Sequence, residues 1–186
     1  MKYISTGVVM TKGTEHVFEV CKGNHKFTLA GELAAVWLSG RLAFSDAKSA
    51  SEIRNLEHLC RMNLAVKAEN ADAAKYRVLT RCTLAPANCR YPYLGLSALE
   101  KTELKWLREA GLRLTIAELI YLNEHGILPT PALLGSEHTQ ELVETIYTRE
   151  TILDNILESQ MESAASRDDV VNAVLRLLKK KRIVLL

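Results

Sequence analysis

Four consecutive cations, Lys179-Lys180-Lys181-Arg182, form the densest run of charge in this chain. Four in a row cannot all face a core, so some must point outward, where each would displace counterions from a phosphate backbone. The competing use is local, because cations at a helix end satisfy its last carbonyls and its dipole. A second set stands at helical spacing: Ser51, Arg54, Asn55, His58 and Arg61, all able to contact base edges or phosphates. Glu52 and Glu57 lie in the same stretch and would repel phosphate. Lys67, Lys75 and Arg77 follow. Together these are the candidate nucleic-acid contacts.

No catalytic pattern accompanies them. The chain has no His-Glu-x-x-His, no Gly-x-Ser-x-Gly, no Walker loop and no Gly-x-Gly-x-x-Gly. His125, in Asn123-Glu124-His125-Gly126, falls at an expected helix C-terminus, where capping suffices as its role. The cysteines are Cys21, Cys60, Cys82 and Cys89, with no Cys-x-x-Cys pair. A set of His58, Cys60, Cys82 and Cys89 can be drawn, but a tetrahedral zinc site wants ligands paired two to four residues apart. Reduced thiols acting as small core hydrophobes are expected instead, with no cofactor and no metal. The protein reads as non-enzymatic.

Such residues need elements to position them. At 186 residues, 48% hydrophobic and 25% charged, the chain has the composition of a globular protein of one large or two small domains. Charge is segregated: residues 1–93 carry 13 Lys/Arg against 8 Asp/Glu, residues 94–162 carry 5 against 12, and residues 163–186 carry 6 against 2. That asymmetry suits nucleic-acid contact at the basic parts, or docking of one part on another. No apolar run approaches the ~18 residues of a membrane span. The stretch Met1–Met10 is too short and broken for a signal peptide, so a cytoplasmic location and no membrane partner are expected.

His16–Val20 and Lys26–Leu29 alternate around Lys22-Gly23-Asn24 and predict a hairpin. Leu33, Val36 and Trp37 predict a helix that stops near Gly40. Ser49-Ala50-Ser51-Glu52 is a capping box opening a helix to Met62, with Ile53, Leu56, Leu59 and Cys60 on one face. Leu64-Ala65-Val66 predicts a strand, residues 69–73 a polar turn, and Tyr76–Cys82 the returning strand. Two proline-bearing stretches, 85–88 and 91–95, mark a linker. Helices follow, with capping boxes at Ser97/Glu100 and Thr115/Glu118 and a variant at Ser166/Asp169. Leu142, Val143 and Ile146 share one helix face, and Ile152, Leu153, Ile156 and Leu157 another. The last helix, with Val170, Val171, Val174, Leu175, Leu177 and Leu178, gives way to a strand at Ile183–Leu186. Trp37 and Trp106 are expected in cores, and Tyr91 and Tyr93 at a junction or an interface.

In element order and in the junction from Leu56 and Leu59 through Arg61 to Leu64 and Val66, residues 16–82 resemble the winged-helix superfamily. Leu175, Leu178 and Ile183 repeat that junction more loosely within 139–186. Phe27-Thr28-Leu29, Ala34–Trp37 and Leu64-Ala65-Val66 also look like the PqqD-like branch, which holds peptides. Residues 41–48 depart from the pattern, leaving little room for the usual middle helix. The resemblance implies a mostly α fold with small β wings: a winged-helix-like α+β domain over 1–84, a linker over 85–96, and a helical domain over 97–186 that ends in a helix–strand junction. It implies a DNA-binding transcriptional regulator that reads the major groove with the Ser49–Met62 helix, a homodimer being compatible with it. The alternative it implies is an adaptor that accepts a protein or peptide as an added strand.

Overall fold

Alternating apolar residues make short strands of the chain's beginning. In this computed structural model the described residues are 1–10, 17–68, 74–148 and 154–186. The first strands are β1 (Lys2–Ser5), β2 (Val8–Val9), β3 (Val17–Lys22) and β4 (His25–Ala30). Gly23, at φ +57°, takes the first central position of the two-residue turn between β3 and β4, where a II′ hairpin favours glycine. Then come α1 (Gly31–Gly40), β5 (Ser45–Asp46), α2 (Ala50–Arg61), β6 (Ala65–Lys67) and α3 (Ala74–Thr80). Two antiparallel sheets result, ordered β5-β1-β6 and β2-β3-β4. The hairpin's Phe18, Val20 and Leu29 pack with Val36 and Trp37 of α1 and Leu56 and Leu59 of α2. The buried Trp37 indole donates to Thr6 O at 3.0 Å, so the aromatic body fills the core while its polar edge is satisfied.

The rest of the chain is β7 (Leu84–Pro86), α4 (Ala98–Glu109), α5 (Ile116–Glu124), α6 (Thr139–Ile146), α7 (Asp154–Met161), α8 (Arg167–Lys179) and β8 (Ile183–Leu185), with short 3-10 turns at Pro131–Leu133 and Ser136–His138. Two compact units divide the chain: Met1–Cys82 with Val184–Leu186, and Thr83–Ile183. Among the described residues the fold is α+β, with eight α-helices and three small sheets. None of these helices is long and apolar enough to cross a membrane.

Most expected elements are present. The hairpin, α1, α2 and β6 lie where the sequence puts them, and His16 and the 69–73 turn lie outside the described residues. The last strand finds its partner in the chain, since β8 pairs with β7. Leu142 and Ile146 of α6 and Leu157 of α7 are buried, whereas Val143 and Ile156 are exposed. Ile152 and Leu153 lie outside the described residues.

Two expectations are corrected. Tyr76–Cys82 is not a returning strand, because Ala74–Thr80 is α3. Tyr76, Val78, Leu79 and Cys82 are all buried, and a two-residue period cannot bury Val78 and Leu79 together. Lys75 and Arg77 therefore stand exposed on a helix rather than on a wing. The variant box at Ser166/Asp169 does not form either. Ser166 sits at φ −80°, ψ −5°, helical rather than extended, and its side chain makes no cap bond to α8. Its hydroxyl and amide donate instead to Glu124 Oε2.

Candidate binding surfaces

The capping box fixes where α2 presents its side chains. Ser49 Oγ accepts from the Glu52 amide at 3.1 Å, and Glu52 Oε2 accepts from the Ser49 and Lys48 amides at 2.9 and 2.8 Å. Those two backbone bonds hold the Glu52 carboxyl below its ordinary range. With Leu56 and Leu59 buried, Arg54, His58 and Arg61 share an exposed stripe at i, i+4 and i+7. Arg61 and Lys67 also line an open cavity of about 490 Å3 with Glu57 and Cys60. Burial raises the Cys60 thiol.

Ser51 and Asn55 do not join that stripe. Both donate to Glu32 Oε2 in the first turn of α1, Asn55 Nδ2 at 3.2 Å. They line a polar cleft of about 270 Å3 whose walls include Tyr3, Glu32, Asp46 and Glu52. The five α2 candidates thus divide, three facing solvent and two turned to a carboxylate. Glu32 was invisible to sequence reasoning because its partners lie 19 and 23 residues away, beyond any local pattern.

The basic run divides as well, in the second unit. Lys180 Nζ donates to Glu100 Oε2 at 2.7 Å and to Gly95 O at 2.9 Å. An Arg182 terminal nitrogen donates to Leu94 O at 3.3 Å, while its buried Nε has no partner. Lys179 and Lys181 are exposed, Lys181 at φ +57° just past the end of α8. Arg176 Nε adds a 2.9 Å bond to Glu100 Oε1. Burial pushes the Glu100 carboxyl up, yet the bonds from Lys180, the Ser97 amide and Arg176 outweigh it and leave it at about 2. His125 is the C-cap of α5, its Nδ1 2.9 Å from Tyr121 O and its ring stacked on Tyr121.

A third surface is backbone. In the β2-β3-β4 sheet β3 is flanked on both sides, while the outer edge of β4 has no strand partner among the described residues. The two-residue turn makes Lys22 and His25 a hydrogen-bonded pair, so ladder bonds alternate from there. The amides of Lys26, Thr28 and Ala30 therefore point away from β3, toward the open edge. The hairpin is anchored at its turn end by Lys22, whose Nζ donates to Thr6 Oγ1 at 2.8 Å and to Asn63 O at 2.6 Å. Burial lowers the pKa of that ammonium.

Among the described residues no three His, Cys, Asp or Glu side chains gather as a metal site. All four cysteines are free, and burial pushes the Cys82 thiol up to about 11. No protein family, no curated protein and no solved structure matches this chain.

Proposed function

We propose that the protein is a non-enzymatic binding protein whose first unit takes an extended segment of a protein or peptide partner along β4. The observation that carries this reading is the open edge, where the amides of Lys26, Thr28 and Ala30 and the carbonyls of Lys26 and Thr28 form a ladder with no strand partner among the described residues. Natural proteins blunt or cover such edges, and partners that add a strand use them. Beneath β4, Leu29 is buried against α1, so the edge is rigid enough to template a strand. The test is selection of random peptides on the wild-type protein and on Thr28→Pro. Proline there removes an outward amide and leaves the β3 ladder bonds intact. Selected peptides are expected to lose most of their affinity for Thr28→Pro. Equal binding to a folded Thr28→Pro protein would overturn strand addition.

DNA binding is the second reading, and the Arg54–His58–Arg61 stripe continuing to Lys67 favours it. With no wing among the described residues, and with Ser51 and Asn55 held by Glu32, the contact would rest on phosphates more than on bases. It predicts salt-dependent binding of random duplex at low ionic strength, weakened by Arg54→Ala with Arg61→Ala. Undetectable binding at low salt sinks it.

A further inference from the structure

In the second unit, residues 87–95 form a loop whose two ends are fastened to the turn that follows α8. At one end the Ala87 amide donates to Arg182 O at 2.8 Å. At the other, Lys180 Nζ donates to Gly95 O at 2.9 Å and an Arg182 terminal nitrogen donates to Leu94 O at 3.3 Å. Arg108 Nη1 adds a 3.3 Å bond from α4 to Ala87 O. The loop is thus held against the basic run, and its own side chains stand in solvent. Tyr91 is 58% exposed, with the Arg90 guanidinium 5.3 Å from its ring centre. Leu94, whose amide closes a turn onto Tyr91 O at 3.4 Å, is 71% exposed.

The two segments that meet here hold cations and no acid: residues 83–99 and 170–183 together carry six Lys/Arg and no Asp or Glu. The carboxylates bonded to them belong to α4. Glu100 is buried and accepts from both Arg176 and Lys180, while the exposed Glu109 accepts from Tyr93 OH at 2.6 Å. Lys180 and Arg182 are spent on fastening the loop. Lys179 and Lys181 are exposed, and among the described residues their side chains take part in no hydrogen bond or ion pair. Fixed cations beside an exposed aromatic ring suit a chain of phosphates that carries bases. The phosphates release counterions at the lysines, and a base stacks on the ring. A duplex keeps its base faces stacked on one another, whereas a single strand has faces to offer Tyr91.

We propose that the 87–95 loop and the lysines at the end of α8 bind single-stranded nucleic acid, Tyr91 stacking on a base and Lys179 and Lys181 contacting phosphates. Arg90 covers one face of the Tyr91 ring and leaves the other to the base. Lys180 and Arg182 are positioning residues. Through the carbonyls of Gly95 and Leu94 they hold the loop beside the free lysines, so little further order has to be gained on binding. The site involves neither the β4 edge nor the Arg54–His58–Arg61 stripe, and its ligand is not a duplex.

Fluorescence anisotropy of a labelled oligo(dT) of about 20 nucleotides, titrated with the full chain over a range of salt, tests it. Lys179→Gln with Lys181→Asn is expected to weaken binding more than about tenfold at low salt. It should also flatten the salt slope by about 1.4, at about 0.7 for each phosphate contact on a single strand. Asparagine tolerates the φ of +57° at position 181. Tyr91→Ala should weaken binding about tenfold at an unchanged slope, and Tyr91→Phe, which keeps the ring, should bind as the wild type does. Arg54→Ala with Arg61→Ala should leave the affinity for oligo(dT) as it is, which separates this site from the α2 stripe. All these side chains are exposed, and an unchanged urea midpoint checks that each variant folds. Full affinity in Tyr91→Ala or in the lysine variant would overturn the proposal. So would a duplex of the same length bound as tightly as the single strand, or binding to phosphatidylserine vesicles with none to the oligonucleotide.

Discussion

Glu100 and Glu103 stand one turn apart on α4, both about 1% exposed, and they are opposites. Glu100 receives Lys180, Arg176 and the Ser97 amide, and its carboxyl sits at about 2. Glu103 has an Oε2 with no partner, and burial alone pushes its carboxyl up to about 8. Both are out of contact with solvent, but Glu103 lies deeper among protein atoms than Glu100, so depth and partners together decide what each carboxyl does. The partners of Glu100 come from 76 and 80 residues away, on α8 and at its C-terminal end. A carboxyl with such partners stays ionised and ties two helices together. A carboxyl without them keeps its proton, because an uncompensated buried charge is too costly.

The pair therefore responds to pH with opposite signs, and mutating each should separate them. Glu103 is raised, so between the unfolded value near 4.5 and about 8 the native state holds a proton that the unfolded chain has released. Stability of the second unit falls as pH rises through that window, by up to about 1.4 kcal/mol per pH unit. Glu100 is depressed, so its contribution is complete above 4.5 and is lost as pH falls toward 2. Glu100→Ala is expected to cost about 3 kcal/mol at neutral pH, since it leaves Arg176 and Lys180 without their acceptor. Arg176 is half exposed and rehydrates, which keeps the loss at the lower end. Glu103→Gln should do the reverse, gaining about 2 kcal/mol at pH 7.5 and flattening the slope between pH 5 and 8. Urea unfolding read through hydrogen exchange of α4 and α8 amides checks both. A Glu103→Gln protein that keeps the wild-type slope would break the comparison.

How much of this was legible in the sequence follows from range. The hairpin around Gly23, the stop of α1 near Gly40 and the boxes at Ser49, Ser97 and Thr115 are written within four or five residues, and each forms as read. What failed depends on tertiary company. Val78 and Thr80 favour a strand locally, but burying Tyr76, Leu79 and Cys82 on one side makes a helix of that stretch. Lys180 reads as a phosphate ligand until Glu100 arrives from another helix. Ser51 and Asn55 read as base contacts, while in the fold their donors are turned to Glu32, which accepts both hydrogen bonds. The charged stretch of α2 was visible, but which of its side chains were already spoken for was not.

The smallest expected effect extends the same contrast to helix starts. Ser97 and Ser166 both precede a helix with an acid three residues on, and sequence treats them alike. Ser97 is extended, at φ −68°, ψ 172°, and its Oγ accepts from the Glu100 amide at 3.2 Å. Ser166 is helical in backbone and gives its hydroxyl to Glu124. Ser97→Ala should cost about 1 kcal/mol, the usual loss when an N-cap acceptor is removed. Ser166→Ala should cost only a few tenths, because it loses one exposed hydrogen bond while the amide bond to Glu124 at 2.9 Å remains. Both are read from the midpoint of the same urea curve at unchanged slope. Equal losses would mean that Ser166 caps α8 in solution after all, and that backbone conformation before a helix is a weaker guide than the spacing of serine and acid.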